Sequence, residues 1–532
     1  MAAESPVMNP TSPAPRPCVP QRCYGCPAGV GRRDFLKGCG AAVALGALGP
    51  WTAASQTASE EVVRLALVFL ANSTTTPEMW PYPHFDCERR IREVTEALRA
   101  GCPQFEFIPV VVTTPAEFPR ALALKDSVDG YVVYVITLNW EMGIGGLLPQ
   151  IGKPLVVANE FLGGCGSFLT SVSAARRQNV PLVAVSSTRL EDLVAVTRVF
   201  ADVKRPGSTP VRFAQQGEEV YRRTLPAAGQ NPCREDRVTI RGISECLERL
   251  RESRFLIVGA GEPGTEQTFL NGIKAIHVGF EELKAHYQAV DPAQAAEWGD
   301  RWIREAEQVV EATTPWIHKA GAMYLAMRSL MQKHDTENIT MNCLGGFGAG
   351  HIEAYPCLGF RQLLNDGQQG VCEAMPPDSI SMLMGRYLTG RPGYVSDPAL
   401  DTSRNLICYS HCMAHTKVFG TDGPANPFRL RTLHNRDPRG CCPQSFLPAG
   451  YLTTSFQVYL HSRTLVIHQA RTTGNLDADR GCRTQLAGEV RGDILKLFNH
   501  WDAWHRVTLY GDVKEPLAEL GRALGLRVVD EA

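Results

Sequence analysis

Four short stretches carry residues able to do chemistry. In "GVCEAMPPDSISMLM" (370–384) the carboxylate of Glu373 sits between a cysteine and Ala374–Met375, ahead of two prolines and a second acid, Asp378. The preceding "FRQLLNDGQQGVCE" reads as helix, turn and short strand, which puts Glu373 at a strand's C-terminal edge, where the ligand sites of parallel sheets gather. An ordinary turn acid is the competing reading. Asp378 or Ser379 reads as the cap of the next, apolar helix, which closes at Gly390. "CYSHCMAH" offers Cys408, His411, Cys412 and His415. In an extended segment the two cysteines share one face and the two histidines the other, so four tetrahedral ligands do not converge on a zinc ion. His411 is then either a pocket-lining residue at the strand's end or a packed one. "WDAWHRVTLYGD" sends His505 into a strand. Alone it reads as a core or edge histidine; it becomes a site residue if Glu373 meets it in space. "VGAGEPG" matches G-x-G-x-x-G at Gly259, Gly261 and Gly264, directly after an apolar strand. Such glycines let the backbone approach a pyrophosphate at a helix N-terminus, and Glu281 further on would serve ribose hydroxyls. The segment before Gly272 is short for a crossover helix, so a plain strand-to-helix turn competes with nucleotide binding.

These residues need a scaffold, and 532 residues exceed a single hydrophobic core. From Glu61 onward, apolar runs of strand length ("VVRLALVFL", "FEFIPVVV", "VDGYVVYVI", "KPLVVANE") alternate with helical or turn segments. That pattern predicts parallel sheets covered on both faces. A second series includes "VPLVAVSS", "RFLIVGAG" and "IKAIHVGF". After "ITMNC" the texture turns to Gly, Pro and short strands. The expected fold class is α/β: two N-terminal parallel-sheet α/β domains (61–165 and 166–334), then a mixed α+β, β-rich C-terminal domain (335–532).

Composition narrows the function classes. A formal net charge of −1 gives no electrostatic footprint for nucleic acid, and no basic stripe interleaves with aromatics. No apolar run is long enough to predict a membrane span in the mature chain. The seventeen cysteines follow no framework spacing, and most flank predicted strands, where they act as small buried apolar residues. Residues 1–54 read as a Pro-rich leader, carrying Cys18, Cys23 and Cys26, followed by a signal. Arg32, Arg33, Phe35, Leu36 and Lys37 resemble a twin-arginine motif, and Gly38–Trp51 suits its apolar region. The expectation is passage through the twin-arginine export machinery to a periplasmic or secreted location. A basic, non-targeting tail on a cytoplasmic protein is the alternative.

The motifs from "YPCLGFRQLLNDGQQGVCEAM" through "SMLMGRYLTGRPGYVSDP" to "NLICYSHC" resemble, in order, the central signature of the L-fucose/L-arabinose isomerase superfamily. The tail from "LVIHQARTTGN" to "LGLRVVD" resembles its C-terminal domain. The likeness covers 335–532; the N-terminal portion is similar in layout only. The resemblance implies an aldose–ketose isomerase working through an enediol at a divalent metal, usually manganese, on a small-molecule sugar. It implies Glu373 and His505 as metal ligands, with Glu373 also catalytic and His411 substrate-binding. In "GHIEAYP", Glu353 lies roughly where the arabinose branch has a carboxylate, as ligand or proton shuttle, and His351 beside it would line the site. Homo-oligomers, trimers or hexamers, are also implied. Two positions depart from the pattern: Met375 where relatives carry a second acid, and Arg361 about where fucose isomerases place a metal carboxylate. A degenerate, non-catalytic sugar-binding relative is therefore the alternative, and a nucleotide-dependent oxidoreductase the second alternative.

Overall fold

The computed structural model describes residues 62–71, 85–137, 144–433 and 437–532. The twin-arginine motif and the leader cysteines lie outside the described residues. Five apolar runs open the described chain: β1 (Val63–Leu70), β2 (Phe105–Val112), β3 (Gly130–Val135), β4 (Leu155–Asn159) and β5 (Val183–Ser186). They pair in parallel in the order β2-β1-β3-β4-β5. Burial explains the pattern: β3, β4 and β5 are buried at every position, as strands with helices on both faces must be. The helix Cys165–Arg177 follows β4 and carries this layer toward the C-terminal part of the chain.

A second sheet forms from β6 (Arg254–Val258), β7 (Glu266–Thr268) and β8 (Lys274–Val278). After β9 (Gln308–Val309), which pairs elsewhere, β10 (Asn338–Met341) and β11 (Gln369–Cys372) complete it in the order β11-β10-β6-β8-β7. All its pairings are parallel except that of β7. The glycine match falls between β6 and β7, so it enters an antiparallel edge strand. Neither the phosphate-binding helix nor the plain strand-to-helix turn expected there is present. The glycines have a packing reason instead. Gly259 and Gly261 have φ of 76°, and a Cβ on either would collide with the rings of Phe280 and His277.

Sheet membership also runs past the expected segment ends at 165 and 334. β5 belongs with the first sheet, and β10 and β11 belong with the second. Apolar runs locate strands, but partner choice is set by long-range packing.

The remainder is β-rich: β12 (Tyr394–Asp401), β13 (Leu406–His411), β14 (Phe428–Arg431), β15 (Cys442–Ser445), β16 (Leu452–Tyr459), β17 (Thr464–Asn475), β18 (Thr484–Arg491), β19 (Arg506–Tyr510) and β20 (Arg527–Asp530). Antiparallel pairing runs β16-β19-β12-β13-β18-β17, and β17 returns to β16, closing a six-stranded barrel. Closure leaves no unpaired edge among these six strands. β20 adds in parallel to β17, while β14, β15 and β9 make a small separate sheet. The mixed α/β class with a β-rich C-terminal region is thus observed. No helix among the described residues is long and apolar enough to cross a membrane.

Candidate metal centre

The turn after β11 brings its acid to the barrel. Glu373 and Ala374 have φ of 70° and 53°, the left-handed region that residues with a Cβ rarely enter. Met375 then serves as N-cap, without a side-chain hydrogen bond, for the helix Pro376–Thr389, whose prolines fit a first helical turn. Two successive left-handed residues are the backbone strain found where a side chain is held for function.

Five side chains face Glu373 or one another across this turn. Its Oε1 lies 3.7 Å from His411 Nε2 and its Oε2 lies 3.6 Å from His505 Nε2. His505 Nε2 is also 3.5 Å from Asp397 Oδ1. On its other side, His505 Nδ1 is 2.6 Å from Asp378 Oδ2, while Gln457 Nε2 donates to Asp378 Oδ1 at 2.6 Å. The ring centroids of His411 and His505 stand 5.3 Å apart, edge to face. The barrel register explains the convergence. Asp397 on β12 pairs with Ser410 on β13, and Ser396 pairs with Arg506 on β19, so the residues before and after these pairs share one end of adjoining strands.

Both ring nitrogens of His411, Nε2 of His505 and Oδ1 of Asp397 are buried without a hydrogen-bond partner. Buried polar groups in folded proteins are nearly always satisfied, so several orphans at one centre call for a missing partner. One ligating atom each from Glu373, His411 and His505 lies within 4.8 Å of the others. Carboxylate and imidazole donors at that spacing fit a divalent cation.

Electrostatics tie the group together. Burial, reinforced by the nearby Asp397 and Asp378 and opposed by His505, pushes the Glu373 carboxyl up to about 7. Burial works to neutralise His505, but Asp378, Asp397 and Glu373 outweigh it and raise the imidazole to about 10. His411 is lowered, by burial first and then by the charge on His505. His411 is therefore a neutral imidazole at pH 7, with a lone pair to offer.

Glu373, His411 and His505, singled out in the sequence, thus come together. Glu353 and His351 do not join them. Both are exposed in a bend; His351 stacks on Phe280 at 5.1 Å, and Glu353 acts electrostatically on Tyr287. Arg361 is buried with its guanidinium 3.8 Å over the Phe428 ring and 3.7 Å from Glu305, a packing role. The expected cap at Asp378 is a correction. Met375 holds the cap position, and Asp378 turns inward, fully buried, to grip His505 and Gln457. In "CYSHCMAH" the strand stops at His411, and of its four candidates only His411 joins Glu373 and His505. Asp397 was not singled out. Its signal was present: an acid inside the otherwise uncharged apolar run "GYVSDPAL".

No family model matches the chain. The sulfoquinovose isomerases of Priestia aryabhattai and Priestia megaterium are each 24% identical to it over 305 residues, 53% of this chain. The chain spans 66% of the length of these curated relatives. A solved ABC transporter solute binding protein from Burkholderia multivorans, 8% identical, covers 61% of this chain and 93% of its own, with a TM-score of 0.15 that carries no argument. Over about half its length, then, the chain is similar to sugar isomerases, and its barrel end gathers two histidines and a carboxylate around one point.

Proposed function

We propose that the protein is an aldose–ketose isomerase acting on a small sugar, with sulfoquinovose-type aldoses the first class to try because the similar proteins are sulfoquinovose isomerases. The observation that carries this reading is the unsatisfied cluster of Glu373, His411, His505 and Asp397. His505, Asp397, His411 and one oxygen of Glu373 would hold a divalent metal, proposed as manganese. When bound, such an ion supplies Lewis acidity toward a carbonyl and its neighbouring hydroxyl.

The chain's own residues supply the proton chemistry. With one oxygen toward the ion, Glu373 would use its other carboxylate oxygen to take a proton from one carbon and return it to the adjacent one. Its strained backbone fixes where that proton is collected and returned. Asp378 holds the His505 ring by Nδ1, leaving Nε2 toward the centre. Neutral His411 is available to ligate or to hold a sugar hydroxyl. Glu353 and His351 enter only as residues offered to a neighbouring copy in a trimer or hexamer. Export by the twin-arginine route is proposed on Arg32–Lys37 alone.

The test is an aldose panel, including sulfoquinovose, assayed for ketose with added manganese in deuterated water. Ketose carrying solvent deuterium is the expected outcome, lost in Glu373→Gln. A protein that binds sugar and manganese yet exchanges no carbon-bound hydrogen would instead be the non-catalytic sugar-binding relative.

A further inference from the structure

Glu373 follows the end of β11, and the opposite edge of the same sheet carries a groove that the centre does not use. There β6 begins at Arg254 and β10 at Asn338, while Gly367 and Gln368 lead into β11. The groove encloses about 1200 Å³, ample for a small molecule. Helix Pro376–Thr389 joins the two edges. Asp378 in its first turn grips His505, and Arg386 and Tyr387 in its last turn line the groove, about 12 Å further along the helix.

Guanidinium groups gather around Tyr387. The Cζ atoms of Arg386 and Arg249 stand 5.1 and 6.0 Å from its ring centroid, and Arg241 Nη1 donates to its carbonyl at 3.3 Å. Arg254 follows Ser253, whose hydroxyl lies 2.8 Å from that of Tyr387. Their charge is poorly matched. Arg249 pairs with Glu245 at 3.1 Å on an exposed helix face, and Arg386 reaches only the exposed Glu337, at 3.8 Å, so both pairs are weak. Among the described residues, Arg241 and Arg254 pair with no carboxylate. The other acids of the groove, Glu252, Asp291 and Asp335, pair with none of its arginines. Guanidinium forks delivered by separate elements match several oxygens of one tetrahedral anion, more than a single carboxylate offers. The lining also includes Gln294 and Gln332, whose amides suit hydroxyl groups.

We propose that this groove is a second ligand site, which takes a phosphate monoester of a polyhydroxylated molecule, its phosphate oxygens held by Arg241, Arg249, Arg254 and Arg386. The site needs no metal and stands independently of the isomerase reading.

The experiment is calorimetric titration of the full chain with glucitol 6-phosphate, which has no carbonyl to isomerise, and with inorganic phosphate and glucitol as the other arms. Glucitol 6-phosphate should bind about 10-fold or more tightly than either, because only it engages both the arginines and the amides. Arg254→Gln and Arg241→Gln should each weaken it about 10-fold or more, the loss of one charge-assisted contact. Arg254 is exposed and has no ion-pair partner, so its replacement does not threaten the fold. Glu373→Gln should leave the affinity unchanged, which separates the groove from the centre. No binding of glucitol 6-phosphate, or binding that both arginine variants leave intact, would overturn the proposal. Equal affinity for inorganic phosphate would overturn its polyhydroxylated part, and binding lost in Glu373→Gln alone would place the ligand at the centre instead. If sedimentation shows Arg254→Gln dissociating an oligomer while the ligand binds as before, the groove is an interface between copies and the proposal fails.

Discussion

Asp378 Oδ2 lies 2.6 Å from His505 Nδ1, and both side chains are buried. This one bond fixes which ring nitrogen of His505 looks toward Glu373 and Asp397. Asp378→Asn keeps the shape and the bond to Gln457 within reach but weakens the grip on the ring. Manganese affinity should fall about 10–100-fold. The pH at which binding is half-developed should shift downward with it, because the charge holding the His505 proton is gone. Calorimetry across pH separates this from simple destabilisation, which would leave the pH midpoint in place.

Metal uptake should release protons. With His505 raised to about 10, its ring is protonated at neutral pH, and a ligating imidazole must be neutral. Affinity should therefore rise with pH, about tenfold per unit between about 7 and 10 for the one proton of His505, and more steeply below about 7, where the Glu373 carboxyl must lose its proton as well. Titrations in buffers of differing ionisation enthalpy count that proton directly. Release of none would show that His505 is not a ligand.

Ala374 has no side-chain function in the cluster and a φ of 53°. Ala374→Gly should remove its left-handed penalty and stabilise the fold by about 0.5–1 kcal/mol after the entropy of glycine is counted. A raised urea midpoint with unchanged slope is the expected readout, together with a lower turnover because the Glu373 peptide is held less firmly. Loss of stability would mean that the turn is not strained.

A second buried network offers a pH test. Glu531 accepts from Arg506 Nε at 2.8 Å and Nη2 at 2.6 Å and lies 2.7 Å from His468 Nδ1; Arg506 Nη1 in turn donates to the carbonyl of His505. Burial opposes the charge, but Arg506 and His468 hold the Glu531 carboxyl down at about 2. A depressed carboxyl contributes stability above its ordinary value of 4.5 and loses it as pH falls toward 2. Glu531→Gln should cost about 3–5 kcal/mol at neutral pH by leaving Arg506 buried without its anion. The gap between wild type and variant in urea unfolding should narrow between about pH 5 and about pH 3.

Motif order in the sequence reached Glu373, His411 and His505 because each lies at a strand end that its own flanking residues announce. Asp397 escaped although it is the acid in an otherwise uncharged apolar run, because the sequence around Pro398 does not say whether an acid in β12 faces inward or stands at an edge. Asp378 was assigned to the wrong job for a geometric reason. Cap and first-turn positions stand two or three residues apart, and only the packed helix shows that Met375 takes the cap while Asp378 looks inward. Strand positions could be read from apolar runs, whereas the membership of β5, β10 and β11 depended on contacts far along the chain. The stray prediction at Gly259–Gly264 shares that origin: the course of the chain after β6 is decided by the sheet edge at which β7 pairs, which no local spacing encodes.

The cluster is divided between two layers. Asp397 and His411 belong to adjoining staves of the barrel and His505 immediately precedes a third, each stave hydrogen-bonded into a closed ring in which no strand slides alone. Glu373 and Asp378 come from the turn and helix that leave the second sheet. An ion seated among them would be a clasp between those layers. Its removal would free the sheet-borne acid from the ring-borne histidines without unfolding either, so the turn that carries Glu373 would also set how tightly the two halves of the site are fastened.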